Sequence, residues 1–328
     1  ESLVVAGHRQ PLEVHLLAHL INAATGAYGK TVEFVADAAV PAASIRDLAK
    51  QLKAGSVDTL VILGANPSYN APADLDWNVT IDSAKSVIRL ADQEDESFAS
   101  ATYHLPQAHY LESWGDARTS DGTLVAVQPL IAPLHGGVTE LEVLARILGE
   151  TSSNPHDIAQ ATFNSIAKTG GTWKNFLHDG FLAGTASKTV SARVNANDIY
   201  GKLKDARVPS APSADALEIV FARDYSVDDG RYGNNGWLQE LPDPVTKMVW
   251  DNPVMISRAT AVELGLENTD NVTITVDGRE VAGAIWVQPG MAEGVIGLPL
   301  GYGRTKGGRI ANFGEKLVGF NAYKIRTS

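Results

Sequence analysis

The sequence contains no cysteine. That excludes a disulfide framework, cysteine-ligated zinc, an iron–sulfur cluster and a thiol nucleophile within these 328 residues. Long apolar runs are also missing. The most hydrophobic stretches, near residues 60–63 and 16–24, are interrupted by Gly, His and Asn, so nothing approaches the roughly 18 residues of a membrane span. Basic residues are outnumbered, 27 against 38 acidic, for a net charge of −11, which argues against nucleic acid or an anionic bilayer as partner. Charged residues make up 20% and apolar ones 44%, the balance of a globular chain and not of a disordered one. The length suggests two domains. The first residue is Glu1, no basic-then-apolar leader opens the chain, and we read it as a fragment or a processed chain with any export signal outside it.

The first part alternates strand-like and helix-like patterns. Pro11 can open a helix whose apolar face includes Leu12, Leu16 and Leu20 and which Gly26 can close. Residues 31–35 read as a strand. Ser44 and Asp47 form a capping-box-like start for a helix carrying Ile45, Leu48 and Leu52. Thr59–Leu63 is continuously apolar, as a strand buried on both faces of a parallel sheet should be. Residues 86–90 read as another strand and 139–148 as another capped helix. This alternation predicts a doubly wound α/β domain over residues 1–213, with a helical insertion near 151–208. Residues 209–213, rich in Pro and Ser, read as a linker. Beyond them lie short strands at 219–222, 272–276, 281–287 and 295–300, with Asp277-Gly278 as a hairpin turn and one short helix at 259–264. That pattern predicts a small β-barrel over 214–328.

Four motifs bear on chemistry. Residues 24–31 satisfy a loose phosphate-loop pattern, but a helix precedes them and a strand follows, the reverse of the required order, so they read as a helix end. His15 and His19 share a helix face without a third ligand or the glutamate of a zinc hydrolase, and read as surface or cap residues. Gly64-Ala65-Asn66-Pro67-Ser68 follows the buried strand, where parallel sheets bind ligands; an ordinary βα turn explains it equally. Gly301 to Arg309 combines four glycines with three cations, which suits either a phosphate cradle or a solvated loop.

Several segments together resemble the molybdopterin oxidoreductase family, in its third and fourth domains. They are the strand ending in G-x-N-P at residues 60–67, LPQAHYLESWGDARTSDGTLVAVQPLIAPL at 105–134, and the long segment 250–301 from WDNPVMIS to GLPLG. DGRYGNNGWLQELPDPVTKMVWDN at 229–252 and GFNAYKIR at 319–326 look closest to the molybdopterin-like region of the large iron–sulfur subunit of alternative complex III, a quinol:electron-acceptor oxidoreductase. The resemblance implies a Rossmann-like domain followed by a double-psi β-barrel. It places a nucleotide cleft between them, with Gly64, Asn66 and Pro67 on one side and Arg223, Asn234, Asn235, Gly236 and Trp237 on the other. It admits molybdopterin guanine dinucleotide as cofactor, with none expected in this segment because the family's amino-terminal contacts to it are missing. Iron–sulfur clusters would lie only in regions absent from this chain. The implied role is a scaffold without its own redox centre or catalytic residues, on the periplasmic face of a membrane-bound quinol-oxidising complex and held there by the other subunits. The alternative is the cofactor-binding half of a true molybdenum enzyme acting on a sulfur compound or an oxyanion.

Overall fold

The computed structural model describes residues 2–36, 42–167, 171–207, 210–313 and 316–328. Two compact units interleave along the chain. One comprises Glu1–Pro41, Tyr110–Ala132 and Ala145–Ser210; the other comprises Ala42–His109, Pro133–Leu144 and Ala211–Ser328.

In the first unit, the helix expected after Pro11 forms as Leu12–Ala24, and Gly26 follows it at φ 67°. The strand expected at 31–35 is confined to Phe34–Val35, and it pairs antiparallel with Thr189–Val190 instead of joining a parallel sheet. A second sheet, not foreseen from the sequence, is made of Gly115–Arg118, Leu124–Val127 and Phe181–Leu182, all antiparallel. Its core is Leu124, Phe163, Phe176 and Leu182, with Trp173 against them. Helices Pro155–Ile166 and Trp173–Asp179 supply the aromatic rings, and the side chains of Asn154 and Thr172 cap them by accepting from His156 N and Asn175 N. Pro209, of the expected linker, lies outside the described residues.

The second unit contains a three-stranded parallel sheet, Thr59–Leu63, Ser86–Ala91 and Tyr103–Pro106, paired in that order. Helix Ile45–Lys53 starts at Ser44, whose hydroxyl accepts from Asp47 N at 3.1 Å. Leu52, Leu60, Ile62, Trp77, Ile81 and Val87 bury one core here.

The same unit holds a five-stranded mixed sheet in the order Asn271–Val276, Arg279–Val287, Val254–Ile256, Val295–Leu300, Glu218–Arg223. Val254–Ile256 runs parallel to Ile285 through Val287, and Glu218–Arg223 parallel to Val295–Leu300. Val254, Ile256, Ile285, Leu298 and the 3-10 turn Ala322–Ile325 fill its core. Both sheets sit in one unit because the chain ties them repeatedly. The Tyr69 hydroxyl donates to Tyr302 O at 2.6 Å, and Ala73 N donates to Arg326 O at 2.9 Å. A unit border at Ser210–Ala211 therefore falls beside the linker read from the sequence, while the parallel sheet groups with the strands that follow it.

Asp277 and Gly278 have φ 49° and 76°, both positive as a two-residue hairpin loop of the mirror-image type demands. A Cβ at Gly278 meets nothing within 4 Å, so backbone strain alone resists substitution. We expect Gly278→Ala to lower unfolding free energy by about 1 kcal/mol in urea titrations; a stabilised variant would contradict this turn.

Candidate functional site

The site is built where the parallel strands end, within the second unit. At the end of Ser86–Ala91 the chain turns, and Arg89, fully buried, fixes that turn by donating to Gln93 O at 3.0 Å and to Asp95 Oδ2 at 2.5 Å. Asp95 Oδ1 accepts from Ser97 N and so caps the 3-10 helix Glu96–Ser100. Glu96, its first residue, is half-buried, with its side chain 9% exposed. Five nitrogen donors converge on its carboxylate. Arg304 Nε lies 3.0 Å from both oxygens and Arg304 Nη2 2.9 Å from Oε2. Thr305 N and Lys306 N donate to Oε1 at 2.8 and 3.0 Å, and Asn66 Nδ2 donates to Oε2 at 2.8 Å. The Thr305 hydroxyl approaches Oε1 to 3.5 Å.

Arg304 is held equally firmly. Its Nη1 donates to Gly230 O, and its guanidinium carbon sits 4.7 Å from the centre of the Tyr69 ring. Burial raises the Tyr69 phenol well above its ordinary pKa, so it remains a donor to Tyr302 O. The glycine-rich loop left open by the sequence is thus neither free nor solvated at its core. It wraps a carboxylate.

Burial alone would raise the pKa of Glu96, but the hydrogen bonds and charge of Arg304, with those of Asn66 and Lys306 N, outweigh it and hold the carboxyl at about 2 against an ordinary 4.5. A pKa depressed in the folded state stabilises fully above the unfolded value and is lost as pH falls toward the folded one. The stability difference between the native chain and Glu96→Gln should therefore shrink steadily as pH falls from 4.5 to 2 in denaturant titrations. A difference that stays constant over that window would refute the assignment.

The residues singled out from the sequence fall as follows. Gly64 has φ 63°, and its N–H donates to Leu90 O at 2.8 Å, turning the chain out of the strand. Asn66 commits both ends of its amide, donating to Glu96 and accepting from the Ser97 hydroxyl at 2.7 Å. Pro67 is buried at the first position of the short helix Pro67–Asn70. Asn234 Oδ1 accepts from Ile310 N at 3.1 Å, so Asn66 and Asn234 reach the same 304–310 segment, Asn66 by way of Glu96. Asn235 accepts from Leu238 N and caps helix Gly236–Glu240. Trp237 is 87% exposed. Arg223 pairs with Asp228 at 3.4 Å. His19 stacks on Phe34 with its Nδ1 3.0 Å from the Tyr28 hydroxyl, and among the described residues no three His, Asp or Glu side chains gather as a metal site. Glu96 was not foreseen. It lies in the acidic run 92–96, which reads as solvated, and its partner is 208 residues away.

Known proteins resemble this chain in sequence and in fold. Residues 229–317 match the family model described as "Molydopterin dinucleotide binding domain". The chain is 24% identical over 270 residues to the menaquinone reductase, molybdopterin-binding-like subunit of Nitratidesulfovibrio vulgaris, an alignment covering 77% of this chain and 37% of that protein. Acetylene hydratase from Pelobacter acetylenicus has a similar fold, with a TM-score of 0.59 at 15% identity, over 81% of this chain and 40% of that one. These likenesses support a relationship to the molybdopterin oxidoreductase family. It spans 37% and 40% of the length of these two relatives.

A dinucleotide of that family carries a pyrophosphate, and the clustered donors beside the G-x-N-P loop, of which Arg304 is buried, are suited to one. They are already committed to Glu96. As folded, the cradle does not fit a phosphate group, because the carboxylate stands in its place.

Proposed function

We propose that this chain is a molybdopterin-binding-like scaffold segment of an oxidoreductase subunit, contributing structure and binding surface without a redox centre of its own. One observation carries the reading: the donors clustered beside the family's G-x-N-P loop hold a side chain of the protein itself. The relative named as a molybdopterin-binding-like subunit of a menaquinone reductase supports placement in a quinone-linked complex. Segments 229–252 and 319–326, similar to the corresponding region of alternative complex III, support a quinol-oxidising, membrane-associated assembly with the chain on the exported side and held by other subunits. Among the described residues no helix is long and apolar enough to cross a membrane. Any iron–sulfur clusters would belong to other regions or subunits.

The finer fold fits the same reading. Two parallel strand pairings flanking the antiparallel contact of Met255 with Gly297 support a double-psi β-barrel, and the three parallel strands support a Rossmann-like sheet.

Molybdenum and pterin should be assayed on the protein purified from its native complex, by elemental analysis and by fluorescence of the oxidised pterin. We expect neither in stoichiometric amount with this subunit. Stoichiometric pterin would overturn the scaffold reading in favour of a molybdenum enzyme's cofactor-binding half.

A further inference from the structure

We propose that Asn66, Arg304, Thr305 and Lys306 form an oxyanion site whose resident anion is the Glu96 carboxylate, and that inorganic phosphate binds there once that side chain is removed. The proposal rests on the scaffold reading only in taking Glu96 as the native occupant.

Three observations carry it. The first is donor number. Five nitrogens and a hydroxyl face two carboxylate oxygens. A carboxylate offers about four lone-pair sites, so the donors exceed what it can use, whereas a tetrahedral oxyanion has more oxygens to offer them. The second is charge. Asp95, the neighbouring carboxylate, is taken by Arg89, so removing Glu96 leaves the buried Arg304 guanidinium without a counter-charge. Such a site favours an anion over water. The third is backbone shape. The consecutive N–H groups of Thr305 and Lys306 point inward from a loop that Gly303 (φ 66°) and Gly308 (φ 76°) allow to turn, forming a concave nest of the kind that binds anions. Asn234 packs against Gly308 and bonds to Ile310 N, so the loop is braced without Glu96.

Glu→Ala also removes four heavy atoms, close to the five of phosphate, so the ligand is matched in size. In the native chain Glu96 excludes phosphate-bearing ligands from this place and latches the 64–67 and 304–308 loops together.

The test uses the full chain, native and Glu96→Ala, with inorganic phosphate as probe and chloride at matched ionic strength as control. Calorimetric titration and thermal melts are the readouts. We expect Glu96→Ala to bind phosphate at least tenfold more tightly than the native chain and to gain Tm on its addition. Adding Arg304→Met to that variant should abolish the response. If Glu96→Ala is folded and phosphate does no more than chloride, the proposal fails. If it is unfolded in chloride, recovery of the far-ultraviolet circular dichroism on refolding in phosphate supports the site, and no recovery overturns it. Pterin content does not enter either outcome, so this proposal and the scaffold reading fail separately.

Discussion

Arg304→Met should destabilise the chain by about 4 kcal/mol, the cost of stripping one partner from a buried ion pair. The substitution keeps much of the side-chain length but removes the bonds to Glu96 and to Gly230 O and the cation over Tyr69. What remains is worse than a cavity, because the Glu96 carboxylate stays buried with its counter-charge gone. Urea titration at neutral pH measures the loss. The double variant Glu96→Met with Arg304→Met should recover most of it, since replacing both partners with apolar groups avoids the stranded charge. A single-variant loss under about 1 kcal/mol would show that the pair is solvated and the cradle open.

Gly303→Ala should cost roughly as much for a different reason. Gly303 has φ 66°, and a Cβ there would lie 2.2 Å from Asn321 N and 2.5 Å from Phe320 C, both backbone atoms with nowhere to go. The residue before it accepts the Tyr69 hydroxyl through Tyr302 O, so a backbone shift breaks that bond as well. Gly290 is the control. Its φ of 81° is equally unfavourable to alanine, yet nothing lies within 4 Å of the added carbon, and Gly290→Ala should cost only about 1 kcal/mol. Equal losses at the two positions would mean that strain, and not close approach, dictates glycine at 303.

The elements legible in the sequence are those whose signals are local. Ser44 with Asp47, Thr59–Leu63, Asp277-Gly278 and Val295–Leu300 each carry a cap, an apolar run or a turn that a few neighbouring residues determine. The hairpin Gly115–Arg118 with Leu124–Val127 is hidden because its first strand, G-D-A-R, lacks apolar alternation. Residues 31–35 mislead in the other direction: their β-branched composition suits a strand, but only Phe34–Val35 forms one, paired with Thr189–Val190 far along the chain, while Val32 makes a single bridge to Tyr28. At the site, Asn66 and the 301–309 loop are visible as candidates, while the charge that joins them is not. A carboxylate inside an acidic run looks like any solvated residue until its distant arginine is placed beside it.

Glu96 and Arg304 also bear on where this chain can be cut. The segment matched by the family model, residues 229–317, contains Arg304 but neither Glu96, Asn66 nor Tyr69. Expressed by itself, it would carry an arginine suited to the interior with no carboxylate to meet it, and Tyr302 O would lose its phenol donor. The stretch delimited by sequence similarity therefore leaves several of its contacts outside it. An excised version that keeps these contacts needs the rest of its unit, residues 42–109, 133–144 and 211–328, as a second polypeptide or through a redesigned connection.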